Sequence, residues 1–332
     1  MGGQRRGLIH GSAQLRDSAE ACVYRLDYGR HIQGPERKGR GYRMKFSTIG
    51  IGGAETAAVV LDGGLLPVRA INEAFGTDLE TELLALISRG RLGELEGWLS
   101  GSGDVERKLS ADLIPYDDAV YAPPYRRPRK IWGIGLNYVE HAGDLSESAP
   151  STEPASFMKP DTTIIGAGDE ILLPEQSERT TAEAELGVII GRECRDVSEE
   201  DALSVVAGFT TIIDMTAEDI LQKNPRYLTR AKSFDTFFSF GPEVVTPDEV
   251  GDLAELPVST VLNGEPHRKN VVANMTFPPM SLVSFHSRVM TLLPGDIIST
   301  GTPGAAVIRD GDIVSCEIPG FKTLTNPVKN RE

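Results

Sequence analysis

The sequence predicts an α+β fold: a rolled, mixed β-sheet with a small N-terminal α+β domain. Three observations carry this. Apolar, Val- and Ile-rich runs of strand length, such as Glu183–Ile190 and Gly208–Ile213, recur through the second two thirds of the chain. Helical patterns between them are short and irregularly placed, so the regular helical crossovers of a doubly wound sheet are missing. Turn dipeptides sit between strand patterns, with Gly63-Gly64 after Asp62 near the start and Asn263-Gly264 further on.

The elements follow in order. Residues Met44–Gly50 read as a first strand, and Ala57–Val60 meets Leu65–Arg69 across Asp62-Gly63-Gly64 as a hairpin. Asp78–Ile87 places Leu79, Leu83, Leu84 and Ile87 on one helical face, and Leu92–Leu99 repeats the pattern. Gly101-Ser102-Gly103 and the polar stretch to Lys108 form a joint. Beyond it the predicted strands are Lys130–Ile134, Glu183–Ile190, Gly208–Ile213, Val258–Leu262, Asp296–Ser299 and Ile313–Glu317. Short helices are expected at Tyr138–Leu145, Glu199–Val206 behind Ser198 as cap, Thr216–Gln222 and Pro279–Met290. The domains expected are 44–102 and a catalytic unit over 111–330.

The 332 residues carry 34 Lys and Arg against 48 Asp and Glu, a formal charge of −14. That balance argues against nucleic acid or an anionic membrane as the main partner. A small anionic ligand stays compatible with it, because a pocket can differ in sign from the whole surface. The charge is uneven: residues 1–43 hold nine Arg or Lys and four acids, a net of +5, so the remaining chain carries −19 (−14 less +5). Breaker-rich and without apolar periodicity, residues 1–43 are expected to be a disordered or mis-assigned leader, with Met44 as the true start. A transit sequence fits less well, because such peptides are poor in acids. Cys22, Cys194 and Cys316 are odd in number, widely spaced and in no metal-binding pattern. A reducing, cytoplasmic location is the expectation. No apolar run approaches about 18 residues, so no membrane span is predicted.

Four segments are candidates for chemistry. Glu183 and Glu185 stand at i and i+2 in a strand and project to one face. Two adjacent carboxylates against an apolar run suit a hard divalent cation, although two exposed glutamates on an edge strand read equally plainly. Asp214 ends the run Gly208–Ile213 and reads either as a helix-start acid or as a third metal ligand. His141 and Asp144 lie i, i+3 on a predicted helix beside Asn137 and Tyr138, as an oriented base or as surface residues. The stretch Leu293–Gly304, rich in Thr and Gly, offers hydroxyls and backbone N–H groups to an anion, or is a plain turn. Lys159 and Lys232 could hold carboxylates or be solvated. No GxGxxG, Walker A, HExxH or GxSxG pattern occurs.

In chain order the segments are GLNYVEH (135–141), FMKP (157–160), EAELGVIIGR (183–192), GFTTIIDMTAED (208–219), AKSFDTFFSFGP (231–242), NGE (263–265) and LLPGDIISTGTP (292–303). As an ordered set over about 200 residues they resemble the fumarylacetoacetate hydrolase family, with Met44–Val68 resembling its small N-terminal domain. The resemblance implies the mixed β-roll of that family around Mg²⁺ or Mn²⁺, commonly in a homodimer. It implies Glu183, Glu185 and Asp214 as metal ligands. His141, held by Asp144, becomes the water-activating base and Lys232 a catalytic cation. Asn137, Tyr138, Lys159 and Thr302 become substrate contacts. The implied substrate is a small anionic keto acid, with C–C bond hydrolysis of an acylpyruvate-type diketo acid such as fumarylpyruvate ranked first. The other reactions of the family kept open are isomerisation or decarboxylation of the 2-hydroxyhepta-2,4-diene-1,7-dioate type and a ureidoglycolate lyase reaction. A silent family member that only binds a ligand is a further alternative. Three departures stand out: Glu218 where the family often has Arg, Arg268 where many members have Gln, and Asp144 where the dyad usually has Glu. Arg230 or Arg268 is the expected substitute for the missing cation.

Overall fold

The structure, a computed structural model, describes residues 44–101, 105–139 and 150–331. The leader expected over 1–43 lies outside the described residues, and so does the helix expected at 138–145 from residue 140 onward, with His141 and Asp144. An antiparallel meander β1 (Lys45–Ile51), β2 (Ala54–Leu61) and β3 (Gly64–Pro67) comes first. Helices α1 (Val68–Phe75), α2 (Leu83–Ser88), α3 (Leu92–Gly101) and α4 (Val105–Lys108) follow it. Next come β4 (Tyr121–Ala122), β5 (Ile131–Gly135), β6 (Ala155–Lys159), β7 (Ile164–Ile165) and β8 (Ile171–Leu173). The long strands β9 (Thr180–Ile190) and β10 (Val206–Ala217) form the centre, followed by α5 (Glu218–Lys223) and α6 (Leu228–Lys232). Strands β11 (Phe238–Phe240), β12 (Glu243–Val245), β13 (Pro257–Leu262) and β14 (Glu265–Val271) lead to α7 (Pro279–Val289). The chain finishes with β15 (Ile297–Ser299), β16 (Ala305–Ile308), β17 (Ile313–Glu317) and β18 (Leu324–Asn330).

The larger sheet runs β3-β2-β1-β12-β10-β9-β15-β5-β6, with β4, β7, β11 and β16 attached off that path. A five-stranded sheet runs β14-β13-β17-β18-β8. Both are mixed: β15 with β5, β11 with β7, and β18 with β8 are parallel among antiparallel pairs. This is the α+β class the sequence predicts. Every residue of β9 is buried, as are the last eleven of β10, so both strands need cover on both faces. One face supplies Ala182, Ala184, Leu186 and Val188 with Phe209, Ile213 and Met215 to an apolar cluster shared with Val258, Val314, Cys316 and Val328 of the five-stranded sheet. The other face contributes Ile189 and Ile212 to a second cluster with Phe46, Val59, Ile71 and Leu86 from the first hundred residues. At roughly 1.5–3 kcal/mol per buried large aliphatic or aromatic side chain, these two clusters dominate the stability of the fold.

Local chemistry explains where elements depart from expectation. The strand expected to Arg69 stops at Pro67, which has no N–H for a ladder, and α1 begins at Val68. The helix expected over Asp78–Ile87 shortens to α2 because Asn72 holds the preceding loop. Its Nδ2 donates to Leu79 O at 2.7 Å and its Oδ1 accepts from Leu79 N at 3.0 Å. Behind Ser198, whose Oγ accepts from Asp201 N at 3.2 Å, only a 3₁₀ turn at Ala202–Val205 forms. The helix expected from Thr216 starts at Glu218, because Thr216 and Ala217 still pair with Thr181 and Thr180. At Asn263-Gly264 both residues have positive φ, 53° and 81°, as a two-residue I′ hairpin requires.

One glycine bears directly on the site. A Cβ on Gly133 of β5 would lie 2.2 Å from Cζ of Phe157, so the ring occupies the space a side chain would take. The same ring lies 5.1 Å from Lys232 Nζ, a cation–π contact. Gly133→Ala should therefore displace Phe157 and destabilise the protein by about 1–3 kcal/mol. Urea unfolding checks this as a lower midpoint at unchanged m value.

Candidate metal centre

The antiparallel register of β9 and β10 sets Glu183 directly opposite Asp214 and Glu185 opposite Ile212. With a period of two along each strand, the three carboxylates share one face. They are 9%, 2% and 1% exposed, and one ligand atom from each lies within 4.8 Å of the other two. Like charges directly across a sheet repel, and burying a carboxylate unpaired costs several kcal/mol. Two lysines answer that charge. Lys232, the last residue of α6, donates to Glu183 Oε2 at 2.6 Å and to Asp214 Oδ2 at 2.8 Å. Lys159, the last residue of β6, donates to Asp214 Oδ1 at 2.5 Å. Both side chains are buried, which removes their reading as solvated cations.

The strand end seen in the sequence at Asp214 is not the strand end in the fold. β10 continues to Ala217, so Asp214 stands mid-strand and the helix-start reading falls. Glu183 and Glu185 lie on a central strand, so the edge-strand reading falls as well.

Glu185 is held by two residues of the stretch Leu293–Gly304. β15 pairs with β9 at Gly187–Ile189 and β16 pairs with it at Thr180–Glu183, leaving the loop between them to wrap the intervening stretch. Ser299 Oγ, at the end of β15, donates to Glu185 Oε2 at 2.5 Å, and Gly301 N, in the loop, donates to the same oxygen at 2.7 Å. Oε1 takes neither bond. The Thr/Gly stretch read as an anion cradle does cradle an anion, and the anion is the chain's own Glu185. Thr216 Oγ1 donates to Glu183 Oε1 at 3.3 Å. Hydroxyls inside apolar strands carry no pattern that would have revealed them.

The environments push the ionisable groups in different directions. Burial, with Asp214 and Glu183 beside it, raises Glu185 to about 8 against the opposing effects of Lys232 and Ser299. Burial pulls Lys159 down to about 8 against the attraction of Asp214. Burial would also lower Lys232, but Asp214, Glu183 and Glu185 outweigh it and hold the ammonium above its usual range.

The expected substrate contacts are placed as follows. Asn137 is buried with its amide engaged by the backbone: Nδ2 donates to Thr300 O at 2.8 Å and Phe277 O at 2.9 Å, and Oδ1 accepts from Phe277 N at 2.9 Å. It clips the segment at Phe277 to the loop at Thr300. Thr302 also turns inward, bonding both N and O of Gly304 at 3.2 Å. Tyr138 is fully buried and its Oη has no hydrogen-bond partner among the described residues. Burial, with Glu185 nearby, raises its phenol. Glu218 accepts from Arg179 at 2.8 Å and from Gln222 at 2.8 Å, so it is engaged at the start of α5. Arg230 bonds Gln176 at 2.9 Å, and the stem of Arg268 lies over Gly304, just beyond Thr302.

Once Glu185 has given up its proton, three carboxylates with two ammoniums leave one net negative charge in a buried cluster whose ligand atoms are all carboxylate oxygens. That donor set fits a hard divalent cation such as Mg²⁺ or Mn²⁺ and does not suit a soft one.

The fumarylacetoacetate (FAA) hydrolase C-terminal family matches residues 130–329. Human mitochondrial oxaloacetate tautomerase FAHD2A is 36% identical over 67% of this chain and 74% of its own length. The 5-carboxymethyl-2-hydroxymuconate delta-isomerase from Mycobacterium smegmatis superposes with a TM-score of 0.59 at 37% identity, over 66% of this chain and 83% of that one. Maleylpyruvate hydrolase from Sphingobium sp. SYK-6, solved with manganese(II) and pyruvate, gives 0.69 at 26% identity over 88% of this chain and 100% of that one.

Two outcomes follow for cation binding. The raised Glu185 carboxyl is largely protonated in the metal-free protein below about pH 8, so a cation must displace that proton. Affinity for Mn²⁺ should rise up to about tenfold per pH unit towards pH 8 and level off above it. Calorimetry in buffers of differing ionisation enthalpy should show proton release at pH 7 that vanishes at pH 9. Ser299→Ala should weaken Mn²⁺ binding by about 10–100-fold through loss of Glu185 orientation. Unchanged affinity would remove Ser299 from the centre.

Proposed function

The chain belongs to the fumarylacetoacetate hydrolase family, and we propose that it is a divalent-metal-dependent keto–enol tautomerase or isomerase of a small anionic 2-keto acid. The observation that carries this reading is the buried centre itself: three carboxylates with ligand atoms within 4.8 Å of one another, two of them hydrogen-bonded to buried lysines. The names of two relatives more than a third identical, an oxaloacetate tautomerase and a muconate-derivative delta-isomerase, favour proton transfer over bond cleavage.

Glu183, Glu185 and Asp214 would hold Mg²⁺ or Mn²⁺, which supplies Lewis-acid polarisation of a keto oxygen when bound. Ser299 and Gly301 orient Glu185, and Lys232 keeps a fixed positive charge beside the position where an enolate develops its negative charge. Burial excludes water and strengthens those interactions. In the reaction a proton leaves C3 of the keto acid, its electron pair moves into the C2–C3 bond, and the C2 oxygen gains the proton. His141, with Asp144 beside it in sequence, is the proton carrier of this proposal.

Hydrolysis of an acylpyruvate-type diketo acid, ranked first from the sequence, is the second reading. The presence of His141 and Asp144 three residues apart in the sequence favours it, because activating water uses both residues fully. The two reactions reach an enolate by different routes, loss of a C3 proton in one and C–C cleavage after attack of water in the other, so product analysis separates them. With Mg²⁺ or Mn²⁺, proton NMR should show faster enol–keto exchange of oxaloacetate with the carbon skeleton retained. Chelator or Glu185→Gln should lower that rate at least a hundredfold. Release of pyruvate from an acylpyruvate without tautomerase activity would establish hydrolysis instead, and turnover untouched by chelator would overturn both readings.

A further inference from the structure

We propose that the chain carries a second anion site, separate from the carboxylate centre, for a small ligand bearing two or more negative charges of phosphoryl or di- and tricarboxylate type. The site is a cleft of about 610 Å³ between the end of α2 and the ends of three adjacent strands. Arg89, Arg127, Arg129 and Arg192 line it against a single acid, Glu193. Four guanidinium groups around one carboxylate invert the sign of a chain whose overall charge is −14.

Their hydrogen bonding marks which of them are available. Arg89 is paired with Glu80 at 2.8 Å, and Arg192 donates only to the neutral hydroxyl of Ser204 at 2.8 Å. Arg127 and Arg129 engage no partner among the described residues. They flank the buried Pro128, and the outer two cations of the run Arg126–Lys130 are engaged elsewhere. Arg126 pairs with Glu55 at 2.7 Å, and Lys130 forms a 2.6 Å ion pair with the fully buried Asp296. Two of the four cations in this run are thus structural or paired across elements, and two are left facing the cleft. Planar guanidinium groups bind phosphoryl and carboxylate oxygens through paired N–H donors, which lysines in the same place would not match.

The walls of the cleft give it a link to the fold. Gly191 and Arg192 follow β9, Pro294 leads to β15, and Arg129 leads to β5, three strands that neighbour one another in the order β9-β15-β5. Gly191 lies six residues along β9 from Glu185, about 20 Å at the rise of an extended strand, so the cleft is no part of the carboxylate cluster. An anion seated there would clip together the far ends of the strands that carry Glu185 and its partner Ser299.

The test uses the full chain freed of metal with chelator and then desalted into chelator-free buffer, so that no anion binds through a metal and no chelator competes, at constant ionic strength. Isothermal titrations are run with pyrophosphate and, separately, citrate. We expect one saturable site per chain for at least one of them, weakened at least tenfold in Arg127→Ala/Arg129→Ala and unchanged in Arg309→Ala, an exposed arginine elsewhere. Binding of pyrophosphate alone assigns a phosphoryl ligand, and binding of citrate alone a polycarboxylate. Both arginines are exposed, so the double variant should keep the wild-type thermal unfolding midpoint without anion. No binding of either anion, equal binding by the double variant, or equal weakening in Arg309→Ala overturns the site.

Discussion

The placement of Glu183 directly opposite Asp214, inside a sheet covered on both faces, is the constraint around which this molecule is arranged. Two carboxylates at a cross-strand pair repel, and a third two residues along the same face adds to the repulsion. Water cannot relieve it, because both strands are enclosed by apolar clusters. Positive charge has to be delivered from elsewhere in the chain, and the elements that deliver it are placed accordingly. The end of α6 brings Lys232 between the opposed pair, and the end of β6 brings Lys159 to the outer oxygen of Asp214. Breaking such a buried network by removing one partner is costly, by about 3–5 kcal/mol, because the other charge is left uncompensated. That same surplus of carboxylate oxygen suits the cluster to a divalent cation.

The surrounding architecture serves this arrangement at one remove. β9 changes partner along its length, from β16 to β15, and the end of β15 with the loop that follows it supplies the donors to Glu185. Asn137 ties that loop, through Thr300, to the segment around Phe277. Gly133 lets Phe157 lie beneath Lys232, and a glycine is required there because the ring takes the place of a Cβ. The centre is therefore rigid by packing and by backbone bonds, which is what orienting a cation and a small substrate demands.

Much of this was legible in the chain, and the limits have physical causes. Glu183 and Glu185 stand out because a spacing of two within an apolar run is a local pattern. Asp214 stayed ambiguous because the pairing that extends β10 to Ala217 involves residues about thirty-five positions earlier. Ser299 and Gly301 lie in the stretch legible as an anion cradle, although which anion they hold is set by the distant Glu185, and Thr216 gives no signal because a strand hydroxyl has many ordinary uses. Asn137 was expected at a substrate, and its backbone partners are set by the position of residues 277 and 300. Helix boundaries slipped at α2 and α5 for similar reasons, through an Asn side chain in one case and continued strand pairing in the other.

The sequence by itself determined the α+β class, the strands with their alternating faces, the hairpin at Asn263-Gly264 and the family. All of these rest on neighbours within a few residues or on motifs in order. Only the tertiary structure decided the register that opposes Glu183 to Asp214, the burial of Lys159 and Lys232 upon them, and the arginines gathered at the ends of β9, β15 and β5. Those depend on which distant segments lie side by side. A side chain's charge environment is set by what lies within a few ångströms of it, and chain position alone does not specify that.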